Sequence, residues 1–158
     1  MAERAGLTPP GLEPVARISV TVGEPIEVGE TVRGRRRIIP ITGGVVDGPS
    51  FSGTVLPGGA DVQLIRPDGV AEVVARYGIA TDRGTHVFIE NTGYRHGPPG
   101  EIERLMRGES VDPDLLYFRT TPRFETDDPA LGWLERDVFV ATAARLLDEV
   151  WIDVFRVT

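Results

Sequence analysis

The sequence predicts an all-β fold: an antiparallel β-barrel of about eight to ten strands with one or two short helical insertions. Three observations predict it. Short segments rich in β-branched residues recur along the chain, as in Val15, Ile18, Val20 and Val22. Turn formers separate them, drawn from 19 Gly and 13 Pro in 158 residues. No strand–helix–strand rhythm is present, so the strands are joined antiparallel, and closing the sheet on itself removes its edges. A sandwich is the second architecture these signals allow.

Residues 1–12 are rich in Pro and Gly and read as a flexible N-terminal tail, leaving 13–158 as a single β-barrel domain. A first strand spans 13–22. A turn region, 23–29, leads to a strand over 34–42 that Gly43-Gly44 ends, and 45–49 read as a connection. Strands follow over 51–56 and, past the Pro57-Gly58-Gly59 turn, over 61–66. The segment 70–81 alternates cleanly, with Val73, Ala75, Tyr77 and Ile79 on one face. Asp82-Arg83-Gly84 then turns the chain into 85–95, a hairpin.

Residues 96–114 change character. Ile102, Leu105 and Met106 share one face of a short amphipathic helix, an insertion long enough to cover a barrel mouth as a moving lid or a static plug. Strands resume over 115–121 and 124–126. Asp128 then N-caps a helical turn begun by Pro129, and a last hairpin joins 138–145 to 150–158.

Composition removes whole classes of chemistry. All 17 basic residues are arginine, so Schiff-base chemistry, pyridoxal-phosphate anchoring and the P-loop lysine are excluded. No thiolate can act where there is no cysteine, and two histidines cannot build a three-histidine zinc site. The acidic residues show no ligand-like spacing. Neither metal nor cofactor is therefore expected, and catalysis falls to Asp, Glu, Arg, Tyr, Asn, Ser or a lone His.

A net charge of −7 repels phosphate backbones, so nucleic acid is not an expected partner. In a strand the Arg35-Arg36-Arg37 run splits between two faces, a solvated strand end with one inward arginine. Without a run of about 18 apolar residues no membrane helix is expected. Without an apolar leader or cysteine the expected location is cytoplasmic. A homodimer through leftover strand edges and the helical insertion is a further expectation, beside a small-molecule ligand.

Asp61 follows two glycines, where backbone can approach a ligand, and reads as a general acid or base whose burial raises its pKa. A turn-capping aspartate is the alternative. Asn91, the one asparagine, shares a face with Val87 and Ile89 and is either a buried amide or a turn amide near Gly93. Arg119, alternating with Tyr117 and Thr121, either holds a carboxylate or enolate inside the barrel, points outward, or pairs internally with an aspartate. Tyr117 and Trp133 complete the candidate ligand contacts, with core packing the simpler reading of Trp133, as of Trp151. Glu72 and Arg76 share a strand face, where they pair or meet water. Asp153, on the face of Trp151 and Phe155, is an arginine's partner or an edge-strand charge.

The segments GVVDGPSFSGTVLPGGAD, NTGYR and LLYFRTTPRFETDDPALGWL resemble the family filed as domain of unknown function 3237, also called uncharacterised protein family 0311. The similarity runs from about residue 35 to 157, with Asp61, Gln63, Asn91, Gly93, Arg95, Arg119 and Trp133 among the matching positions. Val62 stands where the family usually has tryptophan, and Glu135 where it has asparagine. The resemblance implies a small bacterial β-barrel and transfers no mechanism.

Three functional readings stay open. In the first the barrel binds a small organic acid or carbonyl compound, and Asp61 moves a proton as in a cofactor-independent isomerase, cyclase or lyase. In the second the same pocket belongs to a carrier or sensor. In the third the polar residues satisfy one another in a structural or interaction protein.

Overall fold

The computed structural model describes residues 6–158. Its strands are β1 (Leu12–Val22), β2 (Ile26–Thr31), β3 (Gly34–Asp47), β4 (Gly53–Val55), β5 (Gly59–Ile65), β6 (Ala71–Thr81), β7 (His86–His96), β8 (Tyr117–Thr126), β9 (Phe139–Arg145) and β10 (Glu149–Val157). They close an antiparallel barrel in the order β1-β10-β9-β8-β7-β6, with β4 and β5 sharing the gap between β6 and β3, and β3 returning to β1. β2 lies outside this ring, paired to β3. The closed antiparallel barrel is the predicted fold.

Several boundaries differ from expectation for physical reasons. The turn region 23–29 contains most of β2, in which Ile26 and Val28 alternate with polar residues for too short a stretch to reveal a strand and stay exposed. Gly43-Gly44 bends β3 instead of ending it. Before the glycines β3 pairs with β2 and β5; beyond them it pairs with β4 and, mostly, β1. Gly44 adopts φ +145°, and a side chain there would strike the carbonyl of Ser19. The strand expected over 51–56 shrinks to β4, and the strands expected over 115–121 and 124–126 are one strand, β8, which starts at Tyr117 and runs through Pro122. Pro122 lies just past Arg119 and Thr120, the two residues that pair with β9, where β8 has lost its second neighbour.

Of the expected tail, residues 1–5 lie outside the described residues. Gly6–Gly11 are exposed, but Gly11 exchanges backbone bonds of 3.1 and 3.0 Å with Thr158, extending the pairing of β1 with β10.

The two ends of the barrel differ. One is packed solid: Phe124 meets Phe139 edge-on at 5.2 Å, and Trp133 lies 5.8 Å from Phe139. Leu131 and Leu134 cap this end from a 3₁₀ segment, Pro129–Glu135, which Asp128 N-caps by accepting from the Ala130 N–H at 2.9 Å. Over the other end lies α1 (Pro99–Met106), the expected amphipathic helix. It buries no residue fully, and Met106 brings its sulfur within 3.3 Å of Arg37 Nη1.

Candidate functional site

Between the aromatic end and α1 the barrel encloses a cavity, with about 40 Å³ open to the centre of a water molecule. Its walls are mostly aliphatic, from Val20, Ile39, Ile41, Val73 and Ile152. Into this apolar space project Asp61 and Gln63 from β5, Tyr77 from β6, Asn91 and Arg95 from β7, Thr120 from β8 and Arg145 from β9. Each is delivered by the two-residue period of its strand. The face that carries Val73 and Ala75 carries Tyr77; the face that carries Val87 and Ile89 carries Asn91 and then Arg95.

Asp61 sits where the β5–β6 ladder is interrupted. Ala60 and Asp61 pair with Arg76 and Ala75, pairing lapses at Val62 and Gln63, and it resumes at Leu64. In the gap the Val74 N–H donates to Asp61 Oδ1 at 3.3 Å, and Gln63 Nε2 donates to Oδ2 at 2.9 Å. The preceding glycines make this approach feasible. Gly58 turns the chain at φ +105°, and a side chain on Gly59 would meet the Arg76 carbonyl and Tyr77 Cβ.

Burial pushes the Asp61 carboxyl above its ordinary value, overcoming the Gln63 bond and the attraction of Arg95. Asp61 keeps part of its surface accessible and is one of the residues lining the cavity. Burial likewise lowers Arg95 to about 10, with the charges of Arg37 and Arg145 acting in the same direction and Asp61 opposing. Tyr77 is pushed up by burial and by Asp61, so its hydroxyl stays protonated.

Gln63 Oε1, Tyr77 Oη, Asn91 Oδ1, Arg95 Nε and Thr120 Oγ1 are buried without a hydrogen-bond partner, and all five belong to residues lining this cavity. Such atoms cost about 1–3 kcal/mol each when left unsatisfied and are rare in native structures.

Asp61 and Asn91 thus meet at the cavity. Arg119, Tyr117 and Trp133 do not join them. In β8 the inward face is Phe118, Thr120 and Pro122, so Tyr117 and Arg119 look outward. Arg119 lies over the Tyr117 ring at 5.4 Å and donates to the Phe118 carbonyl at 3.0 Å, in an outer groove with Tyr94, Thr142 and Phe155. Trp133 packs at the closed aromatic end. Trp151 is not core but 37% exposed, beneath Arg17, which forms a two-pronged pair with Asp153 at 2.7 and 2.9 Å. Arg76 pairs with Glu90 at 2.6 Å. His96 stacks on Tyr117 at 4.7 Å on the surface.

Arg95, Arg145, Gln63, Tyr77 and Thr120 were not read as site residues from the sequence. For Arg95 the signal was present, four positions beyond Asn91 on the same strand face. Arg37 is the inward member of the arginine run, 8% exposed, and is bound to Glu27 at 2.8 Å. Among the described residues no three His, Asp or Glu side chains converge as a metal site requires.

The raised Asp61 carboxyl sets a pH dependence with a definite sign. Its contribution to stability is full below the ordinary value of 3.8 and is lost as pH rises through its folded value. Glu27, Asp68 and Asp153 are shifted the opposite way by their arginines, but they are common to wild type and an Asp61→Asn variant. The variant should therefore gain on wild type in urea melts as pH rises from 4 to 8. Parallel pH profiles for the two proteins would show that Asp61 titrates as an ordinary surface acid.

The fold and cavity define a closed β-barrel with a polar cluster in an otherwise aliphatic interior. By comparison with known sequences, the chain belongs to the family described as Protein of unknown function (DUF3237), whose model matches residues 10–157. A UPF0311 protein of Rhodopseudomonas palustris is 50% identical over 143 residues, covering 90% of this chain and 94% of that protein. A crystal structure of a protein of unknown function from the same species superposes with a TM-score of 0.90 at 47% identity, over 96% of this chain and all of that one. A crystal structure of an enzyme from Penicillium herquei shares the fold, with a TM-score of 0.73 at 21% identity over the whole of both chains. A protein of that species named as a hydroalkoxylation enzyme is 30% identical over 82 residues, 52% of this chain and 54% of its own length.

Proposed function

We propose that the barrel interior binds a small organic acid or carbonyl compound and that Asp61 moves a proton within it, making the protein a cofactor-independent isomerase, cyclase or lyase. The clustering of five unpartnered buried polar atoms on one cavity carries the reading. Asp61, held toward its neutral form, is suited to give a proton; once ionised it can take one back from another atom of the same substrate. Such a shuttle balances without an oxidant or reductant. The Arg95 guanidinium and the Asn91 amide stand ready for negative charge that develops meanwhile. Hydroalkoxylation, the activity in the name of one relative, adds O–H across a carbon–carbon double bond and is proton-transfer chemistry of this kind.

The test is a thermal-melt screen against small carboxylates, ketones and aromatic natural-product precursors, with hits assayed for turnover. A ligand present at about 100 times its Kd should add about 2.7 kcal/mol. At least one chemotype should raise Tm, and Arg119→Ala should leave that rise intact, because a ligand inside the barrel does not reach the outer groove. A rise abolished by Arg119→Ala would move the site outside. No rise with any chemotype would overturn the reading, and binding without turnover of any hit would make the protein a carrier.

A further inference from the structure

Two of the cavity's polar groups are guanidiniums without an acidic partner. Among the described residues neither Arg95 nor Arg145 forms an ion pair, whereas Arg37 has Glu27, Arg17 has Asp153 and Arg83 has Asp128. Arg95 is 4% exposed, and its Nε is buried without an acceptor. Arg145 is half-buried on β9, beside the β10 residue Val150 with which it pairs. Arg37 stands near enough to both that its charge depresses their basicity. Asp61 is the one carboxylate lining the cavity, and it is held toward neutrality. The enclosed charge is therefore positive, which an aliphatic interior tolerates poorly unless an anion completes it.

We propose that Arg95 and Arg145 form an anion subsite inside the barrel, so that the ligand is an amphiphilic organic carboxylate. Its ionised group lies on the two guanidiniums and its apolar body along Val20, Ile41, Val73 and Ile152. This rests on the cavity being the binding site and goes further by assigning the ligand's charge and orientation. Guanidiniums suit the task because their planar donors match a carboxylate in pairs.

Occupancy also couples to a proton. Asp61 faces Tyr77 from β6, Arg95 from β7 and Arg145 from β9, Arg37 from β3 acts on the two arginines and Asp148 on Arg145, and among the described residues no second acid lines the cavity. An anion brought onto Arg95 and Arg145 disfavours an ionised Asp61 beside it. Carboxylate affinity should accordingly fall as pH rises through the Asp61 titration, while a neutral analogue's affinity stays level.

The experiment uses isothermal titration of the whole chain with benzoate and hexanoate, and with their neutral amides benzamide and hexanamide, at pH 5 and pH 8. The carboxylates should bind at least about tenfold more tightly than the amides at pH 5 and lose part of that advantage at pH 8. Arg145→Gln, at a half-buried position that should tolerate the change, should erase most of the preference without weakening the amides. Arg95→Gln should do the same where circular dichroism shows it folded. Amides binding as tightly as carboxylates, or a preference unchanged in Arg145→Gln, would overturn the anion subsite and leave the cavity as the binding site. Absence of binding by all four probes would overturn the subsite and count against the cavity as well.

Discussion

On the proton-shuttle function proposed above, replacing Asp61 by asparagine is expected to lower turnover of a compound found in the ligand screen by about 10²–10⁴-fold while leaving it bound, the range lost when a positioned general acid or base is removed. The substitution nearly preserves shape. Its Oδ1 can keep the Val74 N–H bond, and the clash of its new NH₂ with Gln63 Nε2 is relieved by rotating the Gln63 amide. That rotation offers Gln63 Oε1, an atom without a partner in the native chain, as the acceptor. The fold should therefore survive, and a lost rate reports on the proton. Single-turnover kinetics with separately measured Kd distinguishes the two. A variant within about threefold of wild type in kcat would remove Asp61 from the chemistry, whatever the cavity binds.

The second large effect lies at the opposite end. Phe124→Ala should cost about 3–5 kcal/mol, the range for deleting a buried phenylalanine. Phe124 is 4% exposed and supports Phe139, which in turn carries Trp133, so the void cannot be filled by one neighbour's rotation. In a domain of this length the loss should appear as a Tm lower by roughly 6–20 °C and a lower urea midpoint with unchanged m-value. Ligand affinity of the folded fraction should not move, because the aromatic end lies outside the cavity. A loss under about 1 kcal/mol would mean that Leu131 and Leu134 collapse into the space.

What could be read from the sequence depended on how differently the two faces of each strand are dressed. β6 and β7 put a run of apolar residues on one face, so their hairpin was legible, and that face carried Asn91 inward as one of the two readings the sequence left open. Asp61 was legible through its glycines. In β8 the inward face includes Thr120 and Pro122, and the outward face Tyr117, so composition does not say which face is inside; Arg119 and Tyr117 were consequently set in the pocket instead of the outer groove. Arg145 ends a run of small residues, Ala141 to Ala144, with no alternation to show its direction. β2 and the bend at Gly43-Gly44 were hidden for opposite reasons: one is a strand without a core face, the other a pair of residues whose usual effect is to stop a strand.

The ring is closed by its first strand. β1 pairs on one side with β3 and on the other with β10, in a register that sets Leu12 opposite Val157. On the ribosome, then, β1 can gain its first neighbour early, but it cannot gain its second until β10 has left the exit tunnel. Until that moment the nascent sheet carries two open edges, one on β1 and one on whichever strand was made last. The interval of synthesis between β3 and β10 is when a neighbouring chain or a chaperone can add to those edges. Closure depends on pairing β1 with β10, the two strands of the barrel farthest apart in sequence and so the contact with the greatest chain entropy to overcome, and it therefore belongs late in folding and sets a slow step.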